Sequence, residues 1–196
     1  MRSLLVLFAL CAIPASAESV FSIGLIGGAP FTDVVSTVNE NFLNVTPKST
    51  NFTIGPSFQV NLPLNLRLEV DALYRPYSFT GTSGPPQFPA NPAPTTVSAN
   101  EWTFPILAQY RFKTPFVKPF VEIGVSVDHL ASLSADAENF ALLRQTTAGV
   151  VLGGGVDVKI PFIRLSGELR YTHQGSAYFQ EISNLNQAEV LLGVHF

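Results

Sequence analysis

Tyr171-Thr172-His173-Gln174-Gly175-Ser176, with Glu181 farther along the same segment, puts an imidazole, a hydroxyl and a carboxylate close together in this 196-residue chain. Those are the groups that nucleophilic hydrolysis uses: a base that takes the serine proton and an acid that orients the base. Asp128-His129 followed by Ser132 and Ser134 is a second such set. Gly153-Gly154-Gly155 is no phosphate loop, because neither a Lys-Ser/Thr pair nor a helix start follows it. The three histidines are scattered without ligand spacing, so no metal centre is expected. The sequence predicts no catalytic, cofactor-binding or metal-ligating residues, and no enzyme.

The remaining chemistry is charge, and it is confined. Lys+Arg number 11 and Asp+Glu 14, or 13% of the chain, against about 25% in an average soluble domain. Hydrophobic residues make up 46% and mean hydropathy is +0.28. Beyond the N-terminus, however, no apolar run reaches the roughly 18 residues of a helical span. Sparse, slightly acidic charge without a basic run excludes a disordered or nucleic-acid-binding chain.

Residues 1–17 read as a secretory signal peptide. Arg2 supplies the positive start, Leu4 to Ile13 the apolar core, and Ala15-Ser16-Ala17 the small-x-small cleavage site, leaving 18–196 as one domain. Cys11, the single cysteine, lies inside that leader, so disulfides and cysteine-based metal sites are not expected.

Hydrophobicity repeats every second residue in eight segments, the period of a strand. In 51–62, Phe52, Ile54, Phe58 and Val60 alternate with Thr53, Gly55, Ser57 and Gln59. After Pro63-Leu64-Asn65, 66–75 alternates Leu66, Leu68, Val70 and Tyr74 against Arg67, Glu69, Asp71 and Arg75. Segments 19–29, 100–112, 117–129, 147–160, 163–173 and 187–196 behave likewise. The strand charges are Arg67, Glu69, Asp71, Arg75, Glu101, Arg111, Lys118, Glu122, Asp128, Asp157, Lys159, Arg164, Glu168, Arg170 and Glu189, and all fall on the polar face. A soluble barrel turns its charges outward, whereas a lipid-facing charge costs about 2–4 kcal/mol at mid-membrane. The pattern therefore predicts an all-β, inside-out, eight-stranded antiparallel up-and-down barrel whose lumen holds a network of paired charges. Gly149, Gly153 and Gly155 on the inward face are expected to make room for long basic side chains.

Connections alternate in length. Those at 63–65, 113–116 and 161–162 are tight, and those at 30–50, 78–98, 130–146 and 174–186 are long. Short periplasmic turns opposite long extracellular loops characterise transmembrane barrels. Tyr74, Trp102, Phe104 and Tyr171 near one rim, with Tyr110, Phe112, Phe116, Phe162 and Phe196 near the other, form the expected aromatic girdles. The 78–98 loop is rich in Pro, Gly, Ser and Thr and is expected to be mobile.

With these features the chain resembles the eight-stranded outer-membrane barrel family typified by the transmembrane domain of outer-membrane protein A. Glu189-Val190-Leu191-Leu192-Gly193-Val194-His195-Phe196, ending in phenylalanine, resembles that family's C-terminal assembly signal, and Gly24-Leu25-Ile26-Gly27-Gly28-Ala29-Pro30-Phe31 resembles its first strand. The resemblance implies a monomer in the bacterial outer membrane, inserted by the barrel-assembly machinery and in contact with outer-membrane lipids and lipopolysaccharide. It implies a structural or surface-interaction role with at most a narrow ion path. Peptidoglycan anchoring is not carried over. Two alternatives follow: a small-solute porin, or a lipid A-modifying enzyme of the deacylase kind. His129 and His173 on the outward face near the extracellular rim invite the second, although Ser176 follows His173 at the wrong spacing for the deacylase pattern, in which serine follows histidine by two.

Overall fold

Strand-period patterning in the sequence becomes strand in the computed structural model, which describes residues 20–40, 43–48, 52–83, 94–131, 143–179 and 182–196. The leader assigned to 1–17 and the middle of the 78–98 loop lie outside these residues. The strands are β1 (Phe21–Pro30), β2 (Val38–Glu40), β3 (Leu43–Lys48), β4 (Thr53–Asn61), β5 (Leu66–Asp71), β6 (Leu73–Ser83), β7 (Thr95–Arg111), β8 (Val117–Ala131), β9 (Thr146–Ile160), β10 (Ile163–Gln174) and β11 (Asn186–His195). β1 with β2, β3 with β4, and β5 with β6 each follow one stave, so eight staves make the wall. All neighbours are antiparallel, and β1 pairs with both β4 and β11, which closes the sheet into a barrel.

The three short turns match their prolines: Pro63–Asn65 is a single 3-10 turn, and two residues link β9 to β10. Leu64, Asn65 and Phe162 take positive φ there, the left-handed backbone that reverses the chain in so few residues. On the opposite side the strands outrun the expected limits. The 30–50 segment contains β2 and β3 rather than open loop, and 78–83 and 95–98 of the presumed mobile loop are strand paired in register from Leu73↔Thr103 to Gly81↔Thr95. Threonine-rich composition suits either state. Continued pairing with a neighbour decides for strand here.

Across the membrane zone the outward side chains are apolar and exposed, among them Ile23, Leu25, Ile54, Phe58, Val121, Ile123, Val125 and Leu169. Inward side chains include eleven of the fifteen strand charges, all buried. They are interleaved with Ile26, Leu73, Leu107, Phe120, Val151 and Leu191, so the lumen is mixed rather than wholly polar. Above Tyr74 and Trp102 both faces change character. Outward positions become Ser78, Thr80, Thr96 and Ser98, whereas the inward series continues as Tyr77, Phe79, Val97, Ala99 and Leu130. The barrel is thus inverted in lipid and ordinary in water. Tyr74, Trp102 and Phe104, with ring centroids 5.3 and 6.4 Å apart in succession, mark the changeover.

The lipid-facing assignment predicts a direct penalty. Ile123→Arg, on the outward face of β8 where Ile123 is 58% exposed, is expected to cost about 2–4 kcal/mol in urea unfolding from lipid vesicles. An unchanged midpoint would place that face out of the bilayer.

Candidate functional site

Arg170, inward on β10 and 2% exposed, is the centre of the lumen. Its guanidinium donates to Glu168 Oε1 at 2.9 Å, Asp71 Oδ2 at 3.1 Å, Glu69 Oε1 at 3.2 Å and Glu122 Oε1 at 3.4 Å. These acids come from β5, β8 and β10, so Arg170 ties together staves far apart in sequence. Neutral amides extend the network: Gln109 donates to Glu69 Oε2 at 3.0 Å and Glu122 Oε2 at 2.8 Å, and Gln59 donates to Glu69. An arginine fork is suited to several planar carboxylates at once, and such bonds are among the strong ones when buried.

Nearer the short turns, Arg67 donates to Asp157 Oδ2 at 2.6 Å and to Gln109, and lies 5.1 Å over the Phe120 ring. Arg164 donates to Gln59 and stands 3.9 Å from Asp157. His195 is buried beside Gln59 and Ser166, at 3.4 and 3.3 Å. Arg111 is buried, Lys118 and Arg164 are half-buried, and Lys159 is exposed at the mouth because β9 ends one residue later. The inward glycines of β9 make room for other groups than basic side chains: a Cβ at Gly153 would overlap Glu122 Oε1, and one at Gly155 would meet Phe120 Cζ at 2.7 Å and Glu168 Cβ at 2.8 Å.

Nearer the long loops, Arg75 donates to Gln187 Oε1 at 3.1 Å and the Thr32 carbonyl at 2.7 Å, and lies 4.0 Å from Glu101. Asp128 accepts from Ser126 and Gln174. Arg75, Asp128, Gln174, Gln187 and half-buried Glu189 line a cavity of about 20 Å³. That is room for about one water.

Over it sits an apolar cap. Val34 and Val35 from the β1–β2 segment join Tyr178, Phe179 and Ile182 from the β10–β11 segment, all at most 2% exposed, on Phe79, Val97 and Leu130 of the wall. Phe79 and Phe179 meet edge to face at 5.6 Å. Backbone bonds stitch the two segments: Ser36 N donates to Ile182 O at 2.6 Å and Asn184 N to Val34 O at 2.8 Å. The Tyr178 hydroxyl donates to Glu101 Oε1 at 3.0 Å; burial and then the Glu101 carboxylate push that hydroxyl's pKa up, so it remains a donor. Sequence reading missed the cap. Its available signal was the inward parity of Tyr77, Phe79, Val97 and Leu130, apolar where lower positions are charged.

Among the described residues, His173 and Ser176 take different partners. His173 Nδ1 lies 2.9 Å from Asn186 Oδ1, which also accepts from the Tyr171 hydroxyl at 2.6 Å, whereas Ser176 Oγ accepts from Arg144 at 3.1 Å. His129 Nδ1 meets Thr146 Oγ1 at 2.8 Å. Glu181, Ser132 and Ser134 lie outside the described residues. Glu69, Glu122 and Glu168 could together reach one ion, but Arg170 already stands among them.

Comparison with known proteins agrees with this architecture. The outer membrane protein beta-barrel domain family matches residues 3–196. Among solved structures, Neisserial surface protein A is similar at a TM-score of 0.56 and 18% identity, over 90% of this chain and 96% of that one. The N-terminal β-barrel domain of Pseudomonas aeruginosa OprF matches at a TM-score of 0.46 and 16% identity, over 89% and 96%. No curated protein matches.

Proposed function

Since the chain belongs to the outer membrane protein β-barrel domain family, we propose that it serves the bacterial outer membrane as a non-conducting barrel whose work is done by its ordered extracellular end. The observation that carries this reading is the change of polarity above Trp102. A barrel needed only to span lipid has no use for a second, apolar-cored tier outside it. Here the wall continues as a collar with polar exterior and packed interior, closed by Tyr178, Phe179 and Ile182. Loops held on a rigid scaffold are the usual place for recognition.

Beneath the collar, the fifteen strand charges act as structural fill. Inward arginines and acids pair across the lumen, Arg170 with four carboxylates and Arg67 with Asp157, and the cavity beside Arg75 and Asp128 is only about 20 Å³, which supports a closed lumen. Barrel assembly through the strand ending in Phe196, a monomeric state, and contact with lipid and lipopolysaccharide belong to the same proposal. Planar-bilayer recording tests it: purified protein is expected to give no unitary current steps across the physiological voltage range. Regular steps that disappear in an Arg111→Ala or Glu122→Ala variant would make the lumen a pore and overturn the reading.

A further inference from the structure

Distance from the short turns sorts the charges of the lumen. Arg67, Lys118 and Arg164 are second residues of β5, β8 and β10, Arg111 is the last of β7, and Lys159 is the last but one of β9. Lys113 stands exposed in the turn between β7 and β8. Among the described residues, no acidic side chain occupies these outermost positions or the three short turns. Asp157 and Glu69 come one tier deeper, and every other lumen acid deeper still. The mouth on this side is therefore lined by cations from five strands, while most carboxylates lie deeper, around Arg170 and beneath the cap.

Asp157 serves Arg67 and faces Arg164, yet Arg67 Nη2 and Arg164 Nε are buried donors without an acceptor among the described residues. Unmet acceptors occur at both levels, Asp157 Oδ1 beside these arginines and Asp71 Oδ1, Glu101 Oε2 and Asp128 Oδ1 higher up, where Arg75 Nε is an unmet donor as well. Lys118, Lys159 and Arg164 sit on adjacent strands: Lys118 pairs across β8–β9 with Asp157, and Lys159 pairs across β9–β10 with Arg164. Arg111 adjoins them from β7 through its pairing with Phe120 on β8. Clustered like charges repel, and an oxyanion between them relieves that repulsion and supplies acceptors.

We propose that the short-turn mouth of the barrel is an anion site that takes a phosphate group between Lys118, Lys159 and Arg164. The guanidinium fork of Arg164 supplies directed bonds, and the two lysines supply compact charge that reaches a ligand arriving from the aqueous side. The phosphate is either a free ion or the headgroup of a phospholipid in the adjacent leaflet. The site is defined by the turns and stands whether or not the lumen conducts.

Calorimetric titration of inorganic phosphate into the full-length barrel, folded in a neutral sugar-headed detergent at constant ionic strength, tests it. Saturable binding is expected, weakened about tenfold or more by Lys118→Gln with Lys159→Gln and unchanged by Lys48→Gln on the opposite side. Heat-modifiable migration confirms that each variant is folded. A second arm compares urea midpoints in phosphatidylcholine vesicles with and without phosphatidylglycerol. A rise in the wild type that the double variant lacks, without binding of free phosphate, identifies the headgroup as the source and upholds the site. Absence of both effects, or equal weakening by Lys48→Gln, overturns it.

Discussion

Arg170→Met is expected to lower the unfolding free energy by about 3–5 kcal/mol, or to prevent the folded, heat-modifiable form from accumulating, because truncating one partner leaves buried charge uncompensated. The guanidinium it removes is shared by Glu69, Asp71, Glu122 and Glu168, all buried. Methionine fills most of the volume, so the loss measures electrostatics and hydrogen bonding rather than a cavity. Arg170→Lys keeps a charge but not the fork, and should fall between the two. Introducing Glu122→Gln and Glu168→Gln into the Arg170→Met protein should recover part of the loss, because fewer carboxylates then go unserved. Residues of one network are expected to be strongly non-additive. If Arg170→Met unfolded at the wild-type urea concentration, the central cluster would contribute nothing to stability.

The second large effect concerns the cap. Phe179 is fully buried and meets Phe79 edge to face. Truncating such a ring typically costs about 3–5 kcal/mol. Because the cap rests on a wall with its own ladder bonds, the loss should appear as local opening rather than global unfolding. Amide hydrogen exchange reads this directly. The amides of Ser36, Leu143 and Asn184, which donate to Ile182, Tyr178 and Val34 carbonyls, should lose protection by about a hundredfold or more, at 1.4 kcal/mol per factor of ten. Amides of β8 and β9 should keep theirs. Unchanged exchange at Ser36 and Asn184 would mean that the two capping segments do not depend on the ring.

Much of the wall was legible because lipid imposes a simple rule on it. Ile123 and Val125 outward against Glu122 and Ser126 inward is a period of two that a single register accounts for, and the same register placed Arg67, Glu69 and Arg170 on one face before any contact was known. The cap followed no such rule. Val35 and Ser183 are bridged across most of the chain's length, and neither the Asp33-Val34-Val35-Ser36 nor the Ala177-Tyr178-Phe179 stretch carries a period that pairs them. The collar fell between these cases. Thr80 and Thr96 face each other at 3.1 Å on its outer surface, and a threonine-rich stretch with glycine and proline nearby reads as loop until its partner strand is known. Arg170's choice of acids was equally invisible: the spacing gives a face, and only the closure of β1 onto β4 and β11 decides which inward side chains meet.

The length of β7 has a consequence for anything approaching from outside. Its 17 residues extend about 56 Å along the strand, or about 43 Å in height at a tilt near 40°, against an apolar band about 25 Å tall. A rampart of ordered sheet therefore stands clear of the apolar band. An antibody or phage fibre that grips its flank reads side chains from strands distant in sequence, such as Thr80 and Thr96. Such an epitope vanishes on boiling and cannot be copied by a linear peptide.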